Sequence, residues 1–243
     1  MAQPRFFCSA PLQANQMQEL PSDLAHYALR VLRLKDGSRI TLFDGNGGQF
    51  DAILHVHGKT TQATVGAHQA IEAELPGRIT LVQGLPSGDK MDWIVEKAVE
   101  MGAHRLIPVS ARRSVVQLSA ERQVKRLKHW ERIAQSASEQ CGRNRIMKIE
   151  APASLETWLE NMDETGGALL LCHPEATQTL NDLIGSAANV TLLVGPEGGW
   201  SEEERQQAFN HGAKPVRFGT RVLRTETAGI ALIAAISALK GWT

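Results

Sequence analysis

Two short polar stretches near the C-terminus have the residue types of a ligand crevice. Gly195-Pro196-Glu197-Gly198-Gly199 directly follows the apolar run Val190–Val194. That run has the length and β-branching of a buried strand, and the five residues after it neither prolong a strand nor begin a regular helix. Glycines let backbone N–H and C=O groups approach a ligand with no Cβ in the way. Glu197 is the lone acid among them, suited to bind hydroxyls or an amine, or to cap nearby backbone. About two dozen residues later, Leu223-Arg224-Thr225-Glu226-Thr227-Ala228 leads into an apolar helix expected over Ala228–Leu239. Glu226 lies where the helix dipole favours an anion, which suits ligand positioning better than proton abstraction. Arg224 stands beside the N–H donors gathered at that helix start, where a guanidinium favours developing negative charge. A salt bridge to Glu197 or Glu226 that only braces the loop is the equal alternative for it. A third strand-end loop, Leu171-Cys172-His173-Pro174, offers His173 either as a pocket residue or as a satisfied structural histidine. GPEGG alone reads as a tight turn as readily as a site; the two stretches together, at this spacing, favour a site.

A second constellation is basic. From Arg112 to Ile149 ten Lys or Arg stand against three Asp or Glu, a surplus of seven. Glu150–Glu204 holds eleven acids and no Lys or Arg, and Arg205–Thr243 six bases and one acid, while the whole chain sums to zero. Such segregation attracts a polyanion although the sum is neutral; solvated helix faces are the bland alternative. A helix expected over Ala120–Gln140 groups Val124, Leu127, Ile133, Ala134 and Ala137 on one face and leaves Arg122, Lys125, Arg126, Lys128, His129 and Arg132 on the rest. Arg112, Arg113, Arg126, Arg132 and Arg143 are the candidates for phosphate contacts, the main source of affinity for a nucleic acid. Trp130 is the only aromatic in that helix, so this is no base-stacking platform. Cys141 is either a nucleophile or a packed small side chain, with packing favoured. The His and Cys residues have no ligand spacing, so no metal site is expected.

GPEGG, a helix, then LRTETA looks like the cofactor region of the SPOUT methyltransferases. More narrowly, it is similar to the RsmE family, which methylates nitrogen three of a uridine in 16S ribosomal RNA of the small subunit. GDKMDWIVEKAVEMG (Gly88–Gly102) and SEQCGRN (Ser138–Asn144) match the same family, so the resemblance covers nearly the whole chain. It implies S-adenosylmethionine as cofactor, held through Leu171 and His173, Gly195, Pro196, Glu197, Gly198 and Gly199, and Phe218, Gly219, Leu223, Thr225, Glu226 and Ala228. It implies an in-line displacement by uridine nitrogen three on the cofactor's methyl. The imide must lose its proton, so a base or an anion-stabilising donor is required. A cationic Arg143 or Arg224 near the uracil oxygens meets the second need, and no residue stands out as the base. Transfer to a ring nitrogen needs no covalent step, which leaves Cys141 without a nucleophile's task. The resemblance further implies a homodimer, a C-terminal helix tucked through a loop as a trefoil knot, and an N-terminal PUA-like β-barrel that holds RNA. Two rivals remain: a non-catalytic RNA-binding protein that keeps the fold, and a nucleotide-dependent oxidoreductase. The second lacks the G-x-G-x-x-G that should follow a strand.

The elements that must position these residues read as two domains, 1–72 and 73–243. The first is β-rich, with a helix expected over Ser22–Leu34, capped by Ser22, and hairpin signals at Asp44-Gly45 and Asn46-Gly47 between alternating runs. A small barrel is the natural closure for such strands. Ala73–Gly77 reads as a linker. Beyond it strands and helices alternate: strands at Ile79–Gln83, Arg105–Val109, Ile146–Ile149, Ala168–Cys172, Val190–Val194 and Lys214–Gly219. Helices are expected at Asp89–Met101, Ala120–Gln140, Leu155–Met162 and Leu180–Ile184, and from Ser201, which forms a capping box with Glu204, to a stop at Gly212. Such alternation gives a mostly parallel sheet covered on both faces. The 42% hydrophobic and 21% charged content fits a soluble globular chain. No apolar run reaches the roughly eighteen residues a membrane span needs, and the start lacks the pattern of a secretory signal. Three scattered cysteines point to a reducing cytoplasm.

Overall fold

The computed structural model describes residues 3–58, 60–114, 119–162 and 167–242. The chain forms two compact units. One holds Met1–Glu74 with Ser138–Ile146, the other Leu75–Ala137 with Met147–Thr243.

The first unit is a five-stranded sheet. Its strands are β1 (Arg5–Phe7), β2 (Met17–Glu19), β3 (Arg39–Phe43), β4 (Gln49–His57) and β5 (Thr60–Gln69), in the order β1-β3-β4-β5-β2. β1 runs parallel to β3 and the other pairs are antiparallel. Alternation is visible in β4, where Phe50, Ala52 and Leu54 are buried and Asp51 and Ile53 exposed, as a period of two requires. The Asp44–Gly48 segment turns β3 into β4, with Asp44 Oδ1 accepting from the Asn46 N–H at 3.1 Å. β1 and β2 end the strand order, and among the described residues no ladder joins them, so the strands expected of a barrel form a five-stranded order without a hydrogen-bonded seam, over a core that includes Phe6, Ile40, Leu42 and Leu54. The single helix expected over Ser22–Leu34 is a short α1 (Ser22–His26) continued by a π-helical turn, Tyr27–Val31. The Leu32 N–H reaches back five residues to Tyr27 O, and Arg33 ends the turn at φ 54°. Ser22 is not the cap: Pro21 holds that position, with no side-chain cap bond.

The second unit is an α/β domain on one parallel sheet. Its strands are β6 (Arg78–Gly84), β7 (Arg105–Ser110), β8 (Lys148–Ile149), β9 (Ala153–Ser154), β10 (Ala168–Cys172), β11 (Asn189–Val194) and β12 (Lys214–Val216). The order is β12-β10-β11-β6-β7-β8, with β9 also on β7, and every pair is parallel. The helices are α2 (Lys90–Glu100), α3 (Ala120–Cys141), α4 (Leu155–Glu160), α5 (Leu180–Ile184), α6 (Glu202–Asn210) and α7 (Thr225–Lys240). α2 and α5 pack on α7, which lies on β6 and β11, while α4 packs on α6. The α4–α6 side encloses Val82, Ile107, Leu159, Leu171, Leu193 and Trp200. Each fully buried aliphatic side chain of this kind contributes about 1.5–3 kcal/mol.

Several boundaries differ from those the sequence suggests. β8 and β12 are shorter than expected, and each is an edge strand with one neighbour to extend along. α7 begins at Thr225, three residues early, with Arg224 as its N-cap. In α3 the covered face runs through Trp130, Ala134, Ala137 and Ser138, while Val124 is 56% exposed, so the apolar stripe begins later than Val124. The Ser201–Glu204 capping box is present, with Ser201 Oγ accepting from the Glu204 N–H and Glu204 Oε2 from the Ser201 N–H.

Candidate functional site

β6 starts at the centre of the sheet, the chain then moves outward through β7 and β8, and it returns on the other side through β10 to β11. The strand order reverses where β6 and β11 lie side by side. Ligands of open α/β sheets bind at the carboxyl ends of strands at such a switch point. A cleft of about 430 Å³ lies there. Its walls are Cys172-His173-Pro174 after β10, Val194–Trp200 after β11, Val222–Glu226 with Ala228 at the start of α7, and Lys90, Arg113 and Arg205.

The loops are fixed by close backbone packing and by a buried polar chain. A Cβ on Gly84 would lie 2.5 Å from Pro196 Cδ, and one on Gly198 would lie 2.9 Å from Arg113 Cβ and 3.0 Å from its carbonyl oxygen. Only glycine allows these approaches without a shift. Thr225 Oγ1 donates to Gly195 O at 2.6 Å and accepts from Gln83 Nε2 at 2.9 Å. Gln83 is fully buried and also donates to Gly84 O. One chain of bonds thus joins the ends of β6 and β11 to the first residue of α7, each bond contributing about 0.5–1.5 kcal/mol net. Glu204 does similar work on the far side: it is buried and its Oε1 accepts from the Arg112 N–H at 2.9 Å.

The two carboxylates of the cleft differ. Glu197 accepts from Ser87 N–H, from Ser87 Oγ at 2.7 Å and from Lys90 Nζ at 2.7 Å. Burial opposes its charge, yet the bonds from Lys90, Ser87 and local backbone outweigh burial and bring its pKa down to about 2. Glu226 Oε2 is buried with no hydrogen-bond partner among the described residues; its nearest cation is Lys90 at 3.8 Å. Trp200 Nε1 is likewise buried without a partner. A cleft wall with an unsatisfied acceptor suits a donor group of a ligand. Burial pushes the Cys172 thiol up to about 11, which makes it a poor nucleophile.

Of the expected cofactor residues, His173, Gly195, Pro196, Glu197, Gly198, Gly199, Leu223, Thr225, Glu226 and Ala228 share this cleft. His173 both lines it and is held, since Arg205 Nη1 donates to its Nε2 at 2.9 Å. Phe218 and Gly219 line a smaller cavity of about 40 Å³ that shares Cys172, His173 and Leu223 with the first. The Leu171 side chain is fully buried in the core on the sheet's α4–α6 side, so any part it has in holding the cofactor falls to its backbone, and Cys172 stands in the wall. Arg224 is exposed in the cleft rim, and its side chain forms no hydrogen bond or ion pair among the described residues. The brace to Glu197 or Glu226, its equal alternative, is supplied by Lys90 at 2.7 and 3.8 Å.

Arg143, expected at the uracil oxygens and at phosphate, corrects differently. It is 3% exposed, and its Nε and Nη2 donate to the two oxygens of Glu74 at 2.9 and 2.6 Å. Its guanidinium is committed to holding the first unit together. Arg112, Arg113 and Arg132 are exposed, and Arg126 is half-buried. Arg126 faces Asp89 at 3.7 Å and Arg112 faces Glu203 at 3.6 Å, while Arg132 has no ion pair among the described residues. Cys141 is half-buried, with its thiol 4.0 Å from Ser138 O. No group of three or more His, Cys, Asp or Glu that could hold a metal comes together among the described residues.

An RNA methyltransferase domain model matches residues 73–237, and an RNA methyltransferase PUA domain model matches residues 20–60. The ribosomal RNA small subunit methyltransferase E of Buchnera aphidicola is 33% identical over 234 residues, covering 96% of this chain and 95% of the relative. The chain belongs to the ribosomal RNA small subunit methyltransferase E family. The crystal structure of the family member from Neisseria gonorrhoeae, bound to S-adenosylmethionine, superimposes with a TM-score of 0.91 at 37% identity, covering 98% of each chain. A methyltransferase from Legionella pneumophila, solved with its cofactor SAM, gives 0.92 at 31% identity with the same coverage.

Within this family's sequence pattern, Lys90 was visible but its task was not. It stands in GDKMDWIVEKAVEMG, and only the fold brings it to Glu197, 107 residues away. Arg205 and Trp200 were similarly hidden. Arg205 is an ordinary solvent-face residue of α6 by pattern, and Trp200 follows the glycines as any apolar residue would.

Proposed function

We propose that this chain transfers a methyl group from S-adenosylmethionine to nitrogen three of a uridine in the 16S ribosomal RNA of the small ribosomal subunit. The observation that carries this reading is the single cleft made by GPEGG and LRTETA in a chain of this family. The cleft fits the cofactor: among the described residues it holds a carboxylate oxygen with no hydrogen-bond partner, and its wall from Gly195 to Gly199 presents backbone groups. Bound there, the cofactor supplies an electrophilic methyl on a sulfonium. The chain's own part is positioning and electrostatics. The backbone of Gly195–Gly199 and of Leu223–Ala228 would hold and orient the ligand, with Gly198, Gly199, His173, Thr225 and Glu226 in its wall. Holding reactants in line is worth up to about 7–11 kcal/mol of a barrier. Arg224, whose guanidinium is uncommitted, would stabilise negative charge on a uracil oxygen as the imide loses its proton.

The same proposal has the exposed Arg112, Arg113 and Arg132 and the half-buried Arg126 meeting RNA phosphates and the N-terminal unit, about residues 1–72, holding RNA. It includes a homodimer, a trefoil knot in the domain of residues 73–243, and action in the cytoplasm on the small subunit. No helix among the described residues is long and apolar enough to cross a membrane. The test is a map of modified uridines in 16S RNA from cells lacking this chain. One N3-methyluridine should vanish and return with the intact gene; a map identical to the parent's sinks the proposal.

A further inference from the structure

The cleft has two carboxylates and one lysine between them. Glu197 is held through Oε1, which accepts from Ser87 N–H, Ser87 Oγ and Lys90 Nζ, while its Oε2 takes only a 3.3 Å share of the same Ser87 N–H. Those bonds tie the loop before α2 to the glycine loop. Glu226 is the reverse case. Among the described residues its Oε2 is buried and receives no hydrogen bond, Lys90 at 3.8 Å lies beyond hydrogen-bond range of it, and the side chain as a whole is 20% exposed in the cleft. A buried carboxylate oxygen without a donor is unfavourable, and a ligand donor that supplies the missing bond gains what the free protein lacks. Resting on the cofactor reading above, we propose that Glu226 pairs with the α-ammonium of the bound cofactor. Lys90 is the placeholder cation of the free cleft, and Glu197 is a structural clamp. The sulfonium carries no N–H and cannot complete the carboxylate's hydrogen bonding. The ammonium carries three donors and can.

S-Adenosylhomocysteine and methylthioadenosine separate the parts, since both are neutral at sulfur and only the first has the amino-acid tail. Calorimetric titration of each into the parent, Glu226→Gln and Glu197→Gln is the test, with thermal melting as the check on folding. Glu226→Gln should weaken S-adenosylhomocysteine about 10- to 100-fold, the worth of a charge-assisted hydrogen bond, and leave methylthioadenosine within about threefold. Glu197→Gln should lower the melting temperature and keep the ratio of the two affinities. If Glu226→Gln does not fold, Glu226→Asp keeps the charge and shortens its reach, and should lose the same ratio in part. Equal weakening of both ligands by the Glu226 variant, or a ratio changed by the Glu197 variant instead, overturns the assignment. A parent that binds neither ligand overturns the cofactor reading and this assignment with it.

Discussion

Arg143 in the first unit and Glu226 in the second are both charged, each holds a buried polar atom, and they differ in their partners. Arg143 spends two guanidinium nitrogens on the two oxygens of Glu74. Glu226 keeps an oxygen with no donor. A buried charge whose hydrogen bonds are complete specifies a fold; one left incomplete marks a place for something else to bind. The same contrast recurs inside the cleft, between Glu197, whose Oε1 accepts from Ser87 and Lys90, and Arg224, whose side chain has no partner among the described residues.

Breaking the complete pair should have the largest effect, and on stability alone. Arg143→Ala strands Glu74, and breaking a buried pair in this way costs about 3–5 kcal/mol. Chemical denaturation should show that loss while S-adenosylmethionine affinity stays at the parent's value; a stable variant with impaired binding would reverse the contrast. Arg224→Ala should do the opposite. One lost preorganised donor lowers the transfer rate about 10²–10³-fold, with cofactor Kd nearly unchanged and kcat and kcat/KM falling together. Single-turnover transfer within a few-fold of the parent would leave Arg224 without a catalytic task.

The basic helix sharpens the comparison at lower cost. Changing Arg126 and Arg132 together to Ala should weaken RNA binding and reduce the log–log salt slope by about one for each lost phosphate contact. An unaltered slope would mean that both are merely solvated. The smallest effect belongs to the Glu197 clamp and appears only in acid. Its folded pKa, about 2, lies below its ordinary value of 4.5. Its contribution is therefore present above about pH 4.5 and lost as pH falls toward 2. Melting temperatures of the parent and Glu197→Gln should differ at pH 6 and converge near pH 2; a constant difference would assign the clamp to something other than the charge.

What the sequence made legible was local. The Ser201–Glu204 box, the Asp44–Gly48 turn and the strands Ala168–Cys172 and Val190–Val194 are set by neighbours within a few residues. What stayed hidden was set by distant partners. Glu197 with Lys90, Arg143 with Glu74, and Gln83 with Thr225 lie 107, 69 and 142 residues apart. Arg143 and Arg132 look alike as letters in one basic segment, and only burial separates the structural arginine from the solvent-facing one. Val124 shows the same limit in a helix: periodicity gives a face, but not where its covering begins. At the end of β10 the Leu171 side chain lies in the core and Cys172 stands in the cleft wall, because successive residues of a strand face opposite ways.

The central claim is that the cleft carries methyl transfer to a uridine ring nitrogen. The most direct measurement supplies purified protein, S-adenosylmethionine labelled in its methyl group and small ribosomal subunits, then digests the RNA and identifies the labelled nucleoside. The account predicts label in N3-methyluridine with the parent protein and a rate about 10²–10³-fold lower with Arg224→Ala. Label in another base, on a uridine carbon or ribose, or in no nucleoside at all would contradict it.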